Sequence, residues 1–335
     1  MKKGIWVILA VVVVVLGMAL FLWLRTPKHG PVKMESVTIG YAPFETLALL
    51  WTAEDRHFFS RNGLHIISRK YDTGVGALDG VVRGEADVAV GTAEFPLVGS
   101  AFRKERIRTL GSIDKIEFIH VVGRKDRGIE KVSDLKGKKV GTTLRTVAHF
   151  YLGRFLTLND MTMKDITLVD LKTPAEWVDA IVTGKIDAIA TTQPSINKII
   201  DRLGANAVVW PAQNYQPMYS LIISTDKWIM HHPELITRFL KSLAQAEEYV
   251  NRHRAEAKDI VRKRLNLDAA YMETVWSQNQ FSLSLDQALI TIMEDEARWV
   301  ISNTLTTEKT VPNFLDYIHM DGLKTVKPEA VSIIH

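Results

Sequence analysis

The sequence has no cysteine among its 335 residues. This absence excludes disulfide bonds, thiolate metal sites, cysteine nucleophiles and the acylated cysteine of lipoproteins. A block of basic residues interleaved with aromatics is also missing, although Lys and Arg outnumber Asp and Glu by 42 to 38. Nucleic acid is therefore not an expected partner. The His, Asp and Glu residues lack metal-ligand spacing, and no Ser-His-Asp set is present. We therefore expect no metal, no cofactor and no catalytic residue.

One long hydrophobic run is present, at the N-terminus. After Met1-Lys2-Lys3, residues 5–24 carry no charge, and a helix of about twenty residues spans the roughly 30 Å of bilayer hydrocarbon. No small-x-small cleavage motif follows. We expect residues 1–25 to be an uncleaved, single-pass transmembrane signal anchor, with a cleaved signal peptide as the alternative. Residues 26–36 are expected to be a tether, and the globular part is expected outside the cytoplasmic membrane, in the periplasm.

Two copies of one pattern follow, one hundred residues apart. The first reads Gly-Glu-Ala-Asp-Val-Ala-Val-Gly-Thr at 84–92, and the second reads Gly-Lys-Ile-Asp-Ala-Ile-Ala-Thr-Thr at 184–192. Strand-like and helix-like runs before them keep the same offset over about sixty residues. Two similar α/β units predict two lobes that face each other across a cleft, where small ligands bind.

The alternation of strands and helices is typical of parallel βαβ sheets. Strand-like runs at 119–123 and 219–224 are the expected hinge segments, and long amphipathic helices after Thr225 are expected to pack on the first lobe. The predicted helices include single segments at 46–59 and 272–281. The predicted lobes are residues 37–121 plus 222–335 for lobe 1 and residues 122–221 for lobe 2.

Three runs resemble a known family: Tyr71-Asp72-Thr73-Gly74, the Gly-x-x-Asp-x-x-x-x-Thr pattern at 84–92, and Asp134-Leu135-Lys136-Gly137-Lys138-Lys139-Val140-Gly141. They resemble the extracytoplasmic solute-binding proteins of ABC importers, in the branch with taurine-, alkanesulfonate- and thiamine-pyrimidine-binding members. The resemblance covers roughly residues 37–320. It implies an α/β, two-lobed type II periplasmic-binding-protein fold behind the N-terminal transmembrane helix. A protein of that kind closes on a small-molecule ligand and has an ABC permease as its membrane partner. We expect a monomer.

The ligand-binding candidates follow the predicted strands at their carboxyl ends, where open α/β sheets bind ligands. They are Phe44, Glu45, Thr73, Gly74, Thr92, Glu94, Thr142, Thr143, Arg145, Thr192 and Gln193. Threonines and glycines at helix starts present N–H groups that suit a sulfonate or carboxylate, although threonine there is also a common helix N-cap. Arg145 is the candidate for a charge-assisted contact with an anion, or else a solvent-facing arginine. Glu45 and Glu94 are candidates for an ammonium group, or for helix caps.

The function expected from these observations is the solute-binding component of an ABC-type importer. Its ligand is expected to be a small polar organic molecule, sulfonate-like or nitrogenous. Two alternatives stay open: a sensory ectodomain partner, and a cofactor-biosynthesis enzyme on the same fold. The export segment and the lack of a nucleophile with a partnering base argue against the enzyme.

Overall fold

The computed structural model of the protein describes residues 34–334. The predicted anchor at 1–25 and most of the predicted tether at 26–36 lie outside these described residues. Of the helices within 34–334, none combines the length and apolar character that a membrane crossing needs.

Two five-stranded sheets form the framework, with strand orders β2-β1-β3-β10-β4 and β7-β6-β8-β5-β9. In each sheet one strand, β10 or β5, is antiparallel to both of its neighbours, and the other recorded pairings are parallel. The shared pattern is what the sequence repeat predicts. The strands are β1 Glu35–Tyr41, β2 Leu64–Lys70, β3 Val88–Ala93, β4 Ile107–Ile116, β5 His120–Arg124, β6 Lys139–Thr142, β7 Thr167–Asp170, β8 Ala188–Thr191, β9 Ala207–Pro211 and β10 Met218–Thr225.

Helices connect the parallel strands of each sheet, and further helices follow β10. Within the described residues they are α1 Ala48–Asp55, α2 Phe58–Arg61, α3 Gly74–Val82, α4 Glu94–Phe102, α5 Val147–Thr157, α6 Pro174–Val182, α7 Ser195–Leu203, α8 Asp226–His231, α9 Pro233–Arg252, α10 Arg254–Leu265, α11 Ala269–Trp276, α12 Gln287–Ser302 and α13 Asp321–Val326.

Equivalent threonines begin the equivalent helices of the two sheets. The Thr73 hydroxyl accepts the Gly76 N–H at 3.0 Å at the start of α3. One hundred residues later, the Thr173 hydroxyl accepts the Glu176 N–H at 3.3 Å at the start of α6. Each hydroxyl satisfies one of the N–H groups that a helix leaves unpaired in its first turn. The repeat in the sequence is therefore a repeat of helix caps as well as of strands.

The prediction of one continuous helix over 46–59 is wrong, because the structure has two helices there. His57 has a φ of 58°, in the left-handed region, so α1 ends at Asp55 and α2 begins at Phe58. A left-handed residue cannot continue a right-handed helix. The helix predicted over 272–281 also differs, because it is α11 at Ala269–Trp276, where the Asp268 carboxylate accepts the Ala270 N–H at 2.8 Å.

The predicted hinge runs at 119–123 and 219–224 are strands, β5 in the second sheet and β10 in the first. The chain passes between the sheets just before each of them, at residues 117–119 and 212–217. Both strands are rich in buried Val, Leu and Ile because each has a strand on either side. An apolar run has the same sequence pattern in a connection as in a central strand, and only its pairing partners distinguish the two cases.

The helices after β10 pack on the first sheet, as the sequence predicts. Phe239 of α9 is fully buried, and its ring stacks on Phe59 of α2 with a centroid separation of 5.3 Å. Leu240 and Leu243 of the same helix join this core, which also holds residues of β1, β3, β4 and β10. Helix α12 also contacts the second sheet's helices. Its Trp299 ring lies edge-on to Phe150 of α5, the helix that connects β6 and β7.

Candidate functional site

A cavity of about 220 Å³ is lined by residues from both sheets, at the carboxyl ends of their parallel strands. One wall contains residues that follow β1, β2 and β3, and the other contains residues that follow β6, β7 and β8. A larger open groove of about 700 Å³ runs between α3 and α8, but its lining belongs to the first sheet and its helices alone. The cavity between the sheets is therefore the candidate site.

Seven of the eleven sequence-predicted residues line this cavity. They are Phe44, Glu45, Thr73 and Gly74 from the first sheet's loops, and Thr143, Thr192 and Gln193 from the second sheet's loops. Position at the carboxyl end of a parallel strand was the signal that found them, since these ends share one edge of each sheet.

The other four candidates lie outside the lining. Thr92 is fully buried, and its hydroxyl donates to the Gly74 carbonyl at 3.0 Å, which holds the start of α3 in place. Thr142 and Glu94 are also fully buried. Arg145 is exposed, with a left-handed φ of 62°. For these four residues, contact with a ligand stays a prediction.

Sequence reasoning missed several lining residues, among them Asp72, Phe118, Lys172 and Trp177. Trp177 lies one hundred residues after Ala77, in the repeated helix. Its Nε1–H donates to Thr143 Oγ1 at 3.0 Å, so the indole bridges the α6 helix and the loop after β6. The repeat could have indicated that Trp177 has a special role, because a bulky residue replaces a small one at the matched position.

Three helices begin at the cavity with unpaired backbone N–H groups. Gly74 and Val75 begin α3, Val147 and Ala148 begin α5, and Ser195 begins α7; all five residues line the cavity. Within residues 34–334, none of their backbone N–H groups has a hydrogen-bond partner. The first turn of a helix leaves such donors free, and the helix dipole adds partial positive charge there.

The usual cap of α5 is turned away from the helix. The hydroxyl of its N-cap residue Thr146 donates to the Thr143 carbonyl at 2.7 Å and makes no bond to the helix N–H groups. The donors at Val147 and Ala148 are thus kept open by the loop's own hydrogen bonding. Open N–H donors at a helix start can bind an anionic group without a basic side chain.

Glu45 is the buried acid of the site. It is 6 % exposed, and Tyr271 of α11 donates a hydrogen bond to its Oε1 at 3.3 Å. Burial raises the pKa of the Glu45 carboxyl above its usual range, although its backbone and Tyr271 hydrogen bonds act in the opposite direction. Lys172 and Asp72, in contrast, are exposed, and Lys172 forms an ion pair with Asp170.

His149, in the first turn of α5, is a packing residue rather than part of the lining. It is 4 % exposed, and its ring lies edge-on to Trp299 with a centroid separation of 4.9 Å. Its Nδ1 lies 3.4 Å from the Arg145 backbone nitrogen, which donates to it. Burial lowers the pKa of His149 to about 4, so the ring is neutral near pH 7.

Curated relatives of the chain are binding proteins. A protein of Brucella abortus, provisionally named a binding protein, is 25 % identical over 253 residues, covering 71 % of this chain and 74 % of the relative. A protein of Bacillus subtilis, provisionally named an aliphatic sulfonates-binding protein, is 23 % identical over 284 residues, covering 82 % of each chain.

Solved structures share the fold. The periplasmic aliphatic sulphonate binding protein SsuA from Escherichia coli superimposes with a TM-score of 0.73 at 18 % identity, covering 86 % of this chain and 98 % of that one. The desulfurization enzyme DSZB superimposes with a TM-score of 0.63 at 15 % identity, covering 88 % of this chain and 99 % of that one. The fold is therefore the two-sheet α/β type II periplasmic-binding-protein fold, and by itself it does not separate binders from enzymes.

The sequence profile of the NMT1/THI5-like family matches residues 46–257. This segment contains both copies of the repeat and every residue of the cavity lining except Phe44 and Glu45. The chain belongs to the NMT1/THI5-like family.

Proposed function

We propose that the chain is the solute-binding component of an ABC importer. Outside the cytoplasmic membrane it captures a small organic solute with an anionic head group, and it delivers that solute to a permease. The names of the relatives, which include an aliphatic sulfonates-binding protein, agree with this proposal. The cavity of about 220 Å³ is smaller than the roughly 300–1,000 Å³ typical of drug-sized ligands, and so suits a small molecule.

The observation that carries the proposal is the convergence of free N–H groups on a cavity between two sheets. The start of α3 belongs to the first sheet, and the starts of α5 and α7 belong to the second. An anion placed among them would receive hydrogen bonds from both sides at once. Since both walls would then bind one group, the ligand would favour a closed arrangement of the lobes.

The capture step in this proposal is a rotation of two lobes about the connections at 117–119 and 212–217. The lobes keep the sequence-based division, residues 37–121 plus 222–335 and residues 122–221, with each boundary moved a few residues towards the N-terminus. Two short connections allow hinge closure with little change inside either lobe.

We further propose that the protein is a monomer held at the membrane by residues 1–25. N-terminal sequencing of membrane-extracted protein should then begin at or near Met1.

A ligand screen with a chemical readout tests the function. Thermal shift against alkanesulfonates, carboxylates and aminosulfonates should identify a stabilising ligand, since ligand at one hundred times Kd adds about 2.7 kcal/mol. Small-angle scattering with that ligand should show a smaller radius of gyration, and the ligand should be recovered unchanged. Conversion of the ligand would indicate an enzyme instead. A radius of gyration that stays constant at saturation would contradict the closure step.

A further inference from the structure

The buried acid Glu45 is unexpected in a cavity built to receive an anion. Within residues 34–334, its side chain has Tyr271 as its only side-chain hydrogen-bond partner, and no Lys, Arg or His forms an ion pair with it. A carboxylate that loses its water without gaining a positive partner is costly. The cost of burying Glu45 must therefore be offset by a group on the ligand or by neighbouring residues.

The buried charged or titratable neighbour of Glu45 is another acid and supplies no positive charge. Asp114 of β4 is fully buried, and the charge of Glu45 contributes, after burial, to raising the Asp114 pKa. Among the ion pairs of the described residues, none includes Asp114. A metal ion is not indicated as the missing partner, because the described part of the chain has no group of three or more potential metal ligands.

The remaining charges on the lining do not supply a cation for Glu45. Asp72 is acidic and exposed, and the exposed Lys172 is paired with Asp170. The lining contains no arginine, and the candidate Arg145 lies outside it. Glu45 lies in the first turn of the short 3-10 helix Glu45–Leu47 that leads into α1, which offers its carboxyl group only a partial positive charge. The cavity therefore combines helix starts without an acidic side chain, which attract an anion, with a buried carboxyl group at Glu45, which favours a cation.

We propose that the ligand carries a cationic amino group in addition to its anionic head, and that Glu45 is the residue that selects for this group. This inference rests on the proposed function and narrows its ligand class from organic anions to small zwitterions. An ammonium group would form a charge-assisted hydrogen bond with the Glu45 carboxylate and end its unpaired state. A plain alkanesulfonate would leave Glu45 buried and unpaired, and a site of that kind rejects the analogue that lacks the partner group.

Two pairs of isosteric probes test the proposal by calorimetry at pH 7.5. The short pair is 2-aminoethanesulfonate and propanesulfonate, and the aromatic pair is 4-(aminomethyl)benzenesulfonate and 4-ethylbenzenesulfonate. Each pair differs only by an ammonium in place of a methyl group. We expect the amino member of at least one pair to bind about thirtyfold more tightly or better, as for one partner of a buried charge pair. This comparison needs no variant, so it does not depend on a mutant folding.

The variant Glu45→Gln then assigns the selectivity. It keeps the shape of the side chain and removes a desolvated charge, so the protein should stay folded, which an unfolding curve verifies. We expect its discrimination within each pair to fall below about threefold. Asp55→Asn, which removes an exposed carboxylate of α1 outside the cavity lining, is the matched control and should change affinity less than about fivefold.

Four outcomes would overturn the inference. Equal binding within both pairs by the wild type would remove the selectivity, and undiminished selectivity in Glu45→Gln would assign it to another residue. Propanesulfonate binding that tightens as the pH falls would mean that a protonated Glu45 donates to the anion. In each of these three cases the proposed function would stand if any of the four probes binds. If none of the four probes binds, the inference fails and the broader ligand screen decides the function separately.

Discussion

Glu94 of α4 and Glu296 of α12 are both fully buried, and their carboxyl groups face each other. The Tyr219 backbone N–H donates to Glu94 Oε2 at 2.8 Å. Within the described residues, Glu94 Oε1 and both Glu296 oxygens have no other hydrogen-bond partner. Two carboxylates cannot both ionise in such a place, so the pair holds at least one proton. Burial raises the pKa of Glu94 to about 7, and burial together with the charge of Glu94 raises that of Glu296 well above 4.5.

The stability of the protein should therefore fall as the pH rises through the neutral range. Unfolded glutamates release their protons near pH 4.5, whereas Glu94 in the folded protein keeps its proton until about pH 7, and the pKa of Glu296 is raised as well. The native state binds more protons in this window, so the stabilisation is complete below pH 4.5 and is lost as the pH rises through 7. Each proton held contributes about 1.4 kcal/mol per pH unit. Urea unfolding between pH 5 and 8 measures the slope.

Glu296→Gln should reduce the slope of this pH profile, because it removes one of the two titrating groups. The amide can donate to Glu94 and needs no shared proton, so the variant should gain relative to the wild type at pH 8. The matched control is Glu294→Gln, a partly exposed glutamate of the same helix that pairs with Arg298, and it should leave the slope unchanged. A slope that is unchanged in Glu296→Gln would place the responsible protons on other buried acids, for example on Asp114.

Gly153 of α5 allows the close approach of Trp299. A Cβ at this glycine would overlap the Trp299 indole, and the backbone there is an ordinary helix. We expect Gly153→Ala to lower the free energy of unfolding by about 1–3 kcal/mol, because overpacking outweighs the helix-propensity gain of alanine. Gly99→Ala in α4 is the matched control, since the new Cβ would meet only the Arg103 guanidinium, at an ordinary contact distance of 3.4 Å. It should stabilise the protein by roughly 0.5–1 kcal/mol. Equal effects of the two substitutions would contradict the packing role.

Arg145→Ala should change ligand affinity by less than about fivefold. Arg145 is exposed and outside the cavity lining, so any attraction to an anion acts through solvent and weakens with salt. Calorimetry at low and high salt checks both the size and the salt dependence. A loss of thirtyfold or more would mean that the closed form turns Arg145 into the site, as the sequence-based hypothesis holds.

The site loops were predictable because their position follows from topology. Once the repeat indicated parallel strands, Phe44, Glu45, Thr73, Thr143 and Gln193 had to lie at one edge of each sheet. What could not be predicted is which neighbouring side chain turns inward. Arg145 and Thr143 are two residues apart, yet Thr143 lines the cavity and Arg145 is exposed. The left-handed backbone of Arg145 redirects its side chain, and spacing does not reveal such a turn.

The sequence by itself determined the alternation of strands and helices, the duplication, the helix-capping threonines and the family resemblance, because these depend on local periodicity and on residue type. Only the tertiary structure decided that the predicted hinge runs are central strands, that Trp177 lines the cavity, and that Glu94 lies against Glu296. Each of these depends on contacts between segments far apart in the chain. Hydrophobic periodicity shows which residues lie on the same face of a helix or strand. Which residues pack against that face depends on the packing of the whole molecule.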